Sequence, residues 1–212
     1  MARADAEDIP GAAESDSAGV AAVVLAAGSS SRMGSPKQTL SYRGESLLRR
    51  AALAALGAGC RPVIVVTGAN AELSRGELDG LDVREVLNTV WEDGMASSVR
   101  AGVEALAGAD AGAAVLMLCD QPHVTAEVIS GLVAAHRATG RSVVASTYGG
   151  GFGVPALFGR ALFAELARLE GAAGAKQLIK RHASEAHFLP FPGGEVDVDT
   201  PDDFSRLTAN DI

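Results

Sequence analysis

The sequence is poor in the residues that mark exported, membrane-bound or nucleic-acid-binding proteins. Its two cysteines, Cys60 and Cys119, show neither CxxC nor Cys/His spacing, so we expect buried free thiols in a reducing, cytoplasmic setting. No apolar run approaches the roughly 18 to 20 residues that span a bilayer. The N-terminus has neither a basic start nor an apolar core. We therefore expect no export signal and no membrane association.

Positive charge is also scarce, because 18 Lys and Arg residues face 26 Asp and Glu residues and give a net charge of −8. This balance shows no basic footprint for nucleic acid, so we expect no such partner. Cations are concentrated in one short segment that contains a single acid, Glu45, and they are Arg32, Lys37, Arg43, Arg49 and Arg50. This local positive patch suits a small anionic molecule.

The organisation of the chain follows from its apolar periodicity. Residues 1–18 have hardly any large apolar side chain and are predicted to be a disordered tail, and residues 19–212 to be one domain. Continuous apolar strands alternate with amphipathic helices, which predicts an α/β fold with a mostly parallel sheet covered on both faces. Strands are predicted at 20–26, 62–68, 83–88, 113–119, 142–147 and near 186–191. Helices are predicted at 46–58, 71–78, 97–107, 125–139, 160–169, 174–182 and from Pro201, with Thr200 as N-cap.

The segment LAAGSSSRMGSPK, residues 25–37, follows the first predicted strand. Its glycines fit neither the dinucleotide fingerprint nor the P-loop. The loop still offers unhindered backbone N–H groups, one guanidinium from Arg32 and one ammonium from Lys37, which favours a phosphate ligand. A plain turn with solvated basic side chains is the alternative.

A carboxylate follows another predicted strand, because Asp120 comes directly after AAVLMLC. Ligands of open parallel sheets collect at the carboxyl ends of strands. Mg²⁺ is typically held by one or two carboxylates together with substrate phosphates. Asp120 is therefore a candidate metal ligand, and a simple turn residue is the alternative.

The segment LAAGSSSRMGSPKQTL resembles the signature L-A-A-G-x-x-x-R-[MF]-G-x-x-K of nucleotidyltransferases with a nucleotide-diphospho-sugar-transferase-like fold. Over residues 20–207 the chain is similar to molybdenum cofactor cytidylyltransferases, which belong with the MobA-like NTP transferases. The blocks that carry this similarity are NTVWEDGMASSVRAGVEAL, LMLCDQPHVT, GVPALF and VDVDTPDDF. The resemblance implies a three-layer α/β/α sandwich, Rossmann-like in its mostly parallel sheet.

The resemblance also implies the site residues. The nucleotide would lie against the loop start, with Arg32 and Lys37 on the triphosphate. Mg²⁺ would lie on Asp120 and Asp199, with Asp197 as a neighbour whose alternative role is a solvated acid. The implied nucleotide-binding residues are Leu25, Ala26, Ala27, Gly28, Arg32, Lys37, Gly94, Ser97 and Ser98. A serine N-cap on the following helix is the alternative for the last two.

The implied reaction moves a nucleoside monophosphate, CMP from CTP, onto the terminal phosphate of a molybdopterin-type cofactor and releases pyrophosphate. The catalytic residues would be Arg32, Lys37 and Asp120, and a molybdoenzyme would receive the product. A phosphate monoester has its second pKa at about 6, so it needs no catalytic base at neutral pH. The alternatives are another nucleotide or acceptor, a non-catalytic carrier of the cofactor, and an NAD-dependent oxidoreductase, for which the glycine spacing is wrong.

Four further features carry expectations about the ligands. Trp91 is predicted to be core, with a lid as the alternative, and His123 is the histidine placed to touch a ligand. The glycines of YGGGFGVPALF, residues 148–158, suggest a mobile loop that admits a large acceptor, with a surface hairpin as the alternative. Relatives usually have Asp and Arg where this chain has Ala172 and Lys176, which predicts altered handling of the acceptor.

Overall fold

A seven-stranded sheet forms the centre of the computed structural model, which describes residues 19–172 and 174–209. The predicted tail, residues 1–18, lies outside these residues. The strands are β1 (Gly19–Ala26), β2 (Ser41–Tyr42), β3 (Glu45–Ser46), β4 (Val63–Thr67), β5 (Arg84–Leu87), β6 (Ala111–Leu118), β7 (Val143–Tyr148), β8 (Gly151–Gly159) and β9 (His187–Pro190).

The order in the sheet is β5-β4-β1-β6-β8-β7-β9, and β2 pairs with β3 in a separate hairpin. Strands β5, β4, β1 and β6 are parallel to one another, β8 is antiparallel to β6 and β7, and β9 is parallel to β7. The predicted α/β fold with a mostly parallel sheet is therefore confirmed. The short β2–β3 hairpin was not predicted.

The helices cover both faces of the sheet. They are α1 (Leu47–Gly57), α2 (Ala71–Glu77), α3 (Met95–Glu104), α4 (Ala126–Thr139), α5 (Phe163–Leu166), α6 (Ala175–Arg181) and α7 (Pro201–Ala209). Single 3-10 turns occur at Lys37–Thr39, Trp91–Asp93 and Arg160–Leu162. In the described part of the chain, no helix has the length and apolar character needed to cross a membrane.

The buried side chains of β1 alternate between two cores. Ala22 and Val24 pack with α1 and α4 on one face, whereas Ala21 and Val23 pack with α3 and α6 on the other. A strand that is buried on both faces has a continuous apolar sequence, and β1 shows this pattern. Cys60 and Cys119 are buried free thiols, as predicted.

Capping residues determine where two of the helices, α1 and α7, begin. The Ser46 side chain accepts a hydrogen bond from the backbone N–H of Arg49, 3.2 Å away, and so caps α1. At α7 the Thr200 hydroxyl accepts from the N–H of Asp203, and the Asp203 carboxylate accepts from the N–H of Thr200 at 2.9 Å. This reciprocal pairing satisfies two donors at the helix start and confirms Thr200 as N-cap.

Residues 148–158 form a hairpin, the second of the two interpretations given for them. Strands β7 and β8 pair from Tyr148 and Gly151 onward. Gly149 and Gly150 make the two-residue turn with φ of 54° and 74°, a conformation that glycine adopts without steric cost. The predicted helix at 160–169 is also shorter than expected, because it consists of a 3-10 turn followed by the four residues of α5.

A third apolar cluster lies beside the sheet and joins distant parts of the chain. Met33 of the glycine loop packs with Tyr42 of β2 and Leu47 of α1. It also packs with Val198, which precedes α7, and with Leu207 of α7. These side chains are all nearly inaccessible to solvent. The cluster therefore fixes the glycine loop against the C-terminal acidic segment.

Helix α3 approaches the sheet closely at Gly102, where a Cβ would overlap Val23 Cγ1 and lie 3.0 Å from Val66 Cγ2. We predict that Gly102→Ala lowers the free energy of unfolding by about 1 to 3 kcal/mol, because overpacking displaces these side chains. Urea denaturation measures the change. The matched control is Gly131→Ala in α4, where the added methyl meets open space and should stabilise by about 0.4 to 1 kcal/mol. Equal effects at the two sites would contradict the close packing.

Candidate active site

The carboxyl ends of β1 and β6 form the floor of the site. Leu25 pairs with Leu118 in parallel register, and the backbone N–H of Cys119 donates to the carbonyl of Leu25 over 3.2 Å. This pairing continues the ladder one residue past β6. It places Asp120 directly beside the glycine loop that follows β1.

Four charged side chains meet at this edge, and they are the ones that the sequence singled out. The Lys37 ammonium contacts Oδ2 of Asp120 and lies 3.1 Å from Oδ1 of Asp199. The Arg32 guanidinium lies 2.9 Å from Oδ2 of Asp199. The backbone N–H of Val198 donates to the carbonyl of Asp120 over 3.0 Å, which holds Asp199 next to Asp120.

Opposite charges hold the ionisation states in this cluster. Burial alone would lower the pKa of Lys37, but its ion pairs with Asp120 and Asp199 outweigh that effect, so the pKa lies above its ordinary value. At Asp197, partial desolvation followed by the negative charges of Asp120 and Asp199 raises the carboxyl pKa to about 6.

One carboxylate oxygen of Asp120 and Asp199 accepts no hydrogen bond from the described residues. Oδ1 of Asp120 is buried and has no hydrogen-bond partner, and such an atom is costly unless something binds it. Among the described residues, no group of three or more His, Cys, Asp or Glu side chains is arranged for a metal. A pair of carboxylates that is completed by substrate phosphates is the arrangement that suits Mg²⁺.

Gln38 shapes the glycine loop and was missed by sequence reasoning. Its side chain is fully buried, and its amide donates to the carbonyls of Ala26 and Gly28 at 2.9 and 2.8 Å. Its oxygen accepts from the Ser30 hydroxyl, whose oxygen in turn accepts from the N–H of Lys37 at 3.0 Å. The loop and the backbone of Lys37 are therefore one hydrogen-bonded unit.

A cleft of about 200 Å³ opens beside this unit. Its lining includes most of the predicted nucleotide-binding residues, together with side chains that were not predicted. The lining residues are Leu25, Ala26, Ala27, Gly28, Lys37, Gln38, Trp91, Gly94, Met95, Ser98, Leu118, Cys119 and Asp120. Trp91 packs against the core, as predicted, but it is only partly buried and also lines the cleft. The Arg32 side chain is 69% exposed and lies outside the lining.

Asn88, another residue missed from sequence, organises the wall opposite the loop. Its buried amide donates to the hydroxyl oxygens of Ser97 and Ser98 at 2.8 and 3.0 Å. The Ser97 hydroxyl donates a hydrogen bond to the carbonyl of Gly94, 2.8 Å away, and it does not line the cleft. Of the two predicted serines, Ser98 is therefore the one that lines the cleft.

Gly94 is required where it stands. Its φ is 101°, and a Cβ on it would lie 2.5 Å from the carbonyl oxygen of Gly171. That carbonyl accepts from the N–H of Ala96 over 3.1 Å. Helix α3 therefore begins at Met95, two residues earlier than predicted, and the segment with Ala172 lies against the rim of the cleft. Ala172 and Lys176 are themselves exposed.

The predicted positive patch is divided between structural and site residues. Arg49 pairs with Glu45 at 3.1 Å and donates to two backbone carbonyls before β5. Arg50 stacks 4.9 Å from the centre of the Tyr42 ring. Arg32 and Lys37 contact the carboxylates of Asp120 and Asp199.

His123 lies outside the nucleotide cleft. It lines a separate cleft of about 460 Å³, together with Arg43, Glu195, Asp197 and Arg206. This cleft adjoins the carboxylate cluster through Asp197. The structure therefore separates His123 from the glycine loop.

A mostly parallel sheet with a glycine loop and two cations after β1, Asp120 after β6 and Asp199 held beside Asp120 by the segment before α7 is typical of an α/β nucleotidyltransferase. The chain belongs to the MobA-like NTP transferase family, whose domain matches residues 22–186. The resemblance seen in the sequence is thereby confirmed at the level of this family.

Solved structures show the same fold. Rv0371c from Mycobacterium tuberculosis H37Rv is 36% identical, with a TM-score of 0.77 over 91% of this chain and 98% of that one. A structure of the same protein in complex with manganese is 34% identical, with a TM-score of 0.72 over 90% and 98% of the two chains.

A further relative is similar in sequence. Nicotine blue oxidoreductase of Paenarthrobacter nicotinovorans is 37% identical over 124 residues, which are 56% of this chain and 57% of that protein.

The contacts of Gln38 generate a prediction. Gln38→Leu should lower the free energy of unfolding by about 1 to 3 kcal/mol, because two loop carbonyls lose a buried donor. It should also weaken nucleotide binding, since the loop is then less well ordered. Urea denaturation and calorimetry with a nucleoside triphosphate measure the two effects.

The matched control is Gln177→Leu on the exposed face of α6, which should change neither quantity. If both variants behave alike, Gln38 has no special role in holding the loop.

Proposed function

We propose that this protein is a nucleotidyltransferase that moves CMP from CTP onto the terminal phosphate of a molybdopterin-type acceptor. The observation that carries the proposal is the contact of Lys37 with both Asp120 and Asp199 at the mouth of the nucleotide cleft. Cations for a triphosphate and carboxylates for a divalent metal thus share one point, as phosphoryl transfer requires.

Asp120 and Asp199 would hold Mg²⁺. The unpartnered Oδ1 of Asp120 supports this assignment, as does the manganese complex of the mycobacterial relative. A bound divalent cation supplies charge neutralisation on the phosphates and orients them.

The side chains of this protein would then position and stabilise the reacting groups. An oxygen of the acceptor phosphate forms the new bond to the α-phosphorus, and the bond from that phosphorus to the bridging oxygen breaks, so pyrophosphate leaves. Arg32 and Lys37 stabilise negative charge on the transferring and leaving groups through charge-assisted hydrogen bonds. No protein base takes part, because the acceptor phosphate is already largely ionised at neutral pH.

The residues in the wall of the cleft favour a nucleotide with a pyrimidine base. Gly94 carries no side chain into the cleft, and Ser98 accepts from Asn88. A hydroxyl whose oxygen accepts a hydrogen bond keeps its own proton to donate elsewhere. Ser98 is therefore suited to donate to an acceptor on the edge of a base, such as a cytosine oxygen or ring nitrogen.

The product would pass to a molybdoenzyme in the cytoplasm. One relative is named an oxidoreductase, which makes nicotinamide chemistry the alternative to test. The glycine loop lacks the dinucleotide spacing that such chemistry would favour.

We predict pyrophosphate release that depends on Mg²⁺ and on the molybdenum cofactor, with CTP preferred over the other three nucleoside triphosphates. Asp120→Asn should lower turnover on the order of 10²-fold or more, because one preorganised charge at the reacting phosphates is lost. A coupled pyrophosphate assay measures both effects, and oxidation of NADH or NADPH is followed in parallel.

The matched control is Asp82→Asn, since this carboxylate is 87% exposed and lies outside the cleft. Pyrophosphate release that is unchanged by Asp120→Asn would overturn the role of this carboxylate. Reduced nicotinamide oxidation without pyrophosphate release would favour the oxidoreductase instead.

The exchange at residues 172 and 176 predicts a shift in acceptor handling, with ordinary nucleotide binding. Lys176 lacks the planar fork with which arginine clamps a phosphate. Ala172→Asp combined with Lys176→Arg should lower the KM for the molybdenum cofactor about tenfold, a change worth about 1.4 kcal/mol. The KM for CTP should stay the same.

Steady-state kinetics with each substrate varied in turn separate the two constants, and each single variant is the control for the pair. A double variant that gains nothing, from a wild type that already uses the cofactor efficiently, would show that the exchange is neutral.

A further inference from the structure

The cations and the carboxylates of the site are each proposed to bind a different ligand, yet they bind one another in the structure. The proposed function gives Lys37 and Arg32 to a triphosphate, and Asp120 and Asp199 to a metal. In the structure these four side chains are instead paired with one another. The cations and carboxylates must therefore separate before either set takes its ligand.

We propose that Lys37 is an internal counter-ion that takes the place of the divalent cation between Asp120 and Asp199 until a triphosphate draws it away. Metal and triphosphate then enter in exchange for the internal ion pairs, and each raises the affinity for the other. The part of this proposal that concerns the triphosphate rests on the proposed function. The competition between Lys37 and a metal does not.

The first support for this proposal is that most carboxylate oxygens of Asp120 and Asp199 are already engaged by cations. Lys37 engages Oδ2 of Asp120 and Oδ1 of Asp199, and Arg32 engages Oδ2 of Asp199. Within residues 19–172 and 174–209, Oδ1 of Asp120 is thus the one carboxylate oxygen of this pair without a hydrogen-bond partner. A cation that uses both carboxylates has to displace the ammonium.

Burial makes the competition strong. The side chains of Lys37 and Asp120 are only 15% and 12% exposed. Charges that are shielded from water interact more strongly than the same charges in bulk solvent, so the ammonium and a divalent cation exclude each other here. Arg32, with 69% of its side chain exposed, holds one oxygen of Asp199 and competes less.

At Lys37 the exchange requires movement of the side chain but not of the backbone. The backbone of Lys37 is fixed by the hydrogen bond from its N–H to Ser30, and its side chain already lines the nucleotide cleft. Removing the ammonium without a replacement would leave Asp120 as a buried, unpaired charge, which is costly. A metal-bound triphosphate offers a cation to the carboxylates and an anion to Lys37 together, so it avoids that cost.

The first test measures Mn²⁺ binding by electron paramagnetic resonance in the absence of nucleotide. Lys37→Ala should bind Mn²⁺ at least about tenfold more tightly than the wild type, which corresponds to about 1.4 kcal/mol of relieved competition. Lys180→Ala, the same change at an exposed position on α6, should leave the affinity unchanged. Lys37→Ala that binds Mn²⁺ no more tightly than the wild type would overturn the proposal.

The second test uses the wild-type protein, so it stands even if Lys37→Ala does not fold. The chain has three lysines, Lys37, Lys176 and Lys180, and mass spectrometry after brief acylation reports the reactivity of each. Saturation with Mg²⁺ should raise labelling of Lys37 several-fold relative to the other two, because its ammonium is released. Metal binding with unchanged Lys37 labelling would show that ammonium and metal coexist.

Neither measurement contains a nucleotide. Absence of pyrophosphate release would count against the proposed function and would leave both results interpretable.

Discussion

Two carboxylates lie side by side at the edge of this sheet because two cations are held between and beside them. Asp120 is fixed by the ladder between β1 and β6, and Asp199 is brought to it by the hydrogen bond from Val198. The cost of placing these charges together is offset by Lys37 and Arg32. Partial burial, followed by the negative charges of Asp120 and Asp199, raises the pKa of the neighbouring Asp197.

The glycine loop depends on the same cluster for its shape. Its backbone is held from inside by Gln38, and its cations are held from outside by the carboxylates. Met33 anchors the middle of the loop in the third apolar cluster. A loop that is rich in glycine and serine is thereby ordered by the buried Gln38 amide, by Met33 and by the ion pairs of its two cations.

Much of the fold and the principal charges of the site could be predicted from the sequence, because their signals are local. A continuous apolar run predicts a buried strand, and an acid directly after such a run is placed at the carboxyl edge. Gln38 and Asn88 could not be recognised in this way. The buried amide nitrogen of each donates to backbone carbonyls or hydroxyls nine or more residues away, and no local pattern identifies them. The start of α3 was misplaced for the same reason, since the carbonyl of Gly171 determines it.

The third apolar cluster has a consequence for how the site is divided along the chain. The residues that match the family domain end at 186, whereas Asp199 and Leu207 lie beyond them. The nucleotide cleft is lined entirely by residues up to Asp120, but half of the carboxylate pair belongs to a C-terminal segment that is docked through Val198 and Leu207 on Met33. The lining of the cleft and the second carboxylate of the pair thus come from separate stretches of sequence, which meet at Asp120. A loss of packing at Leu207 would loosen the position of Asp199 while leaving the lining of the cleft in place.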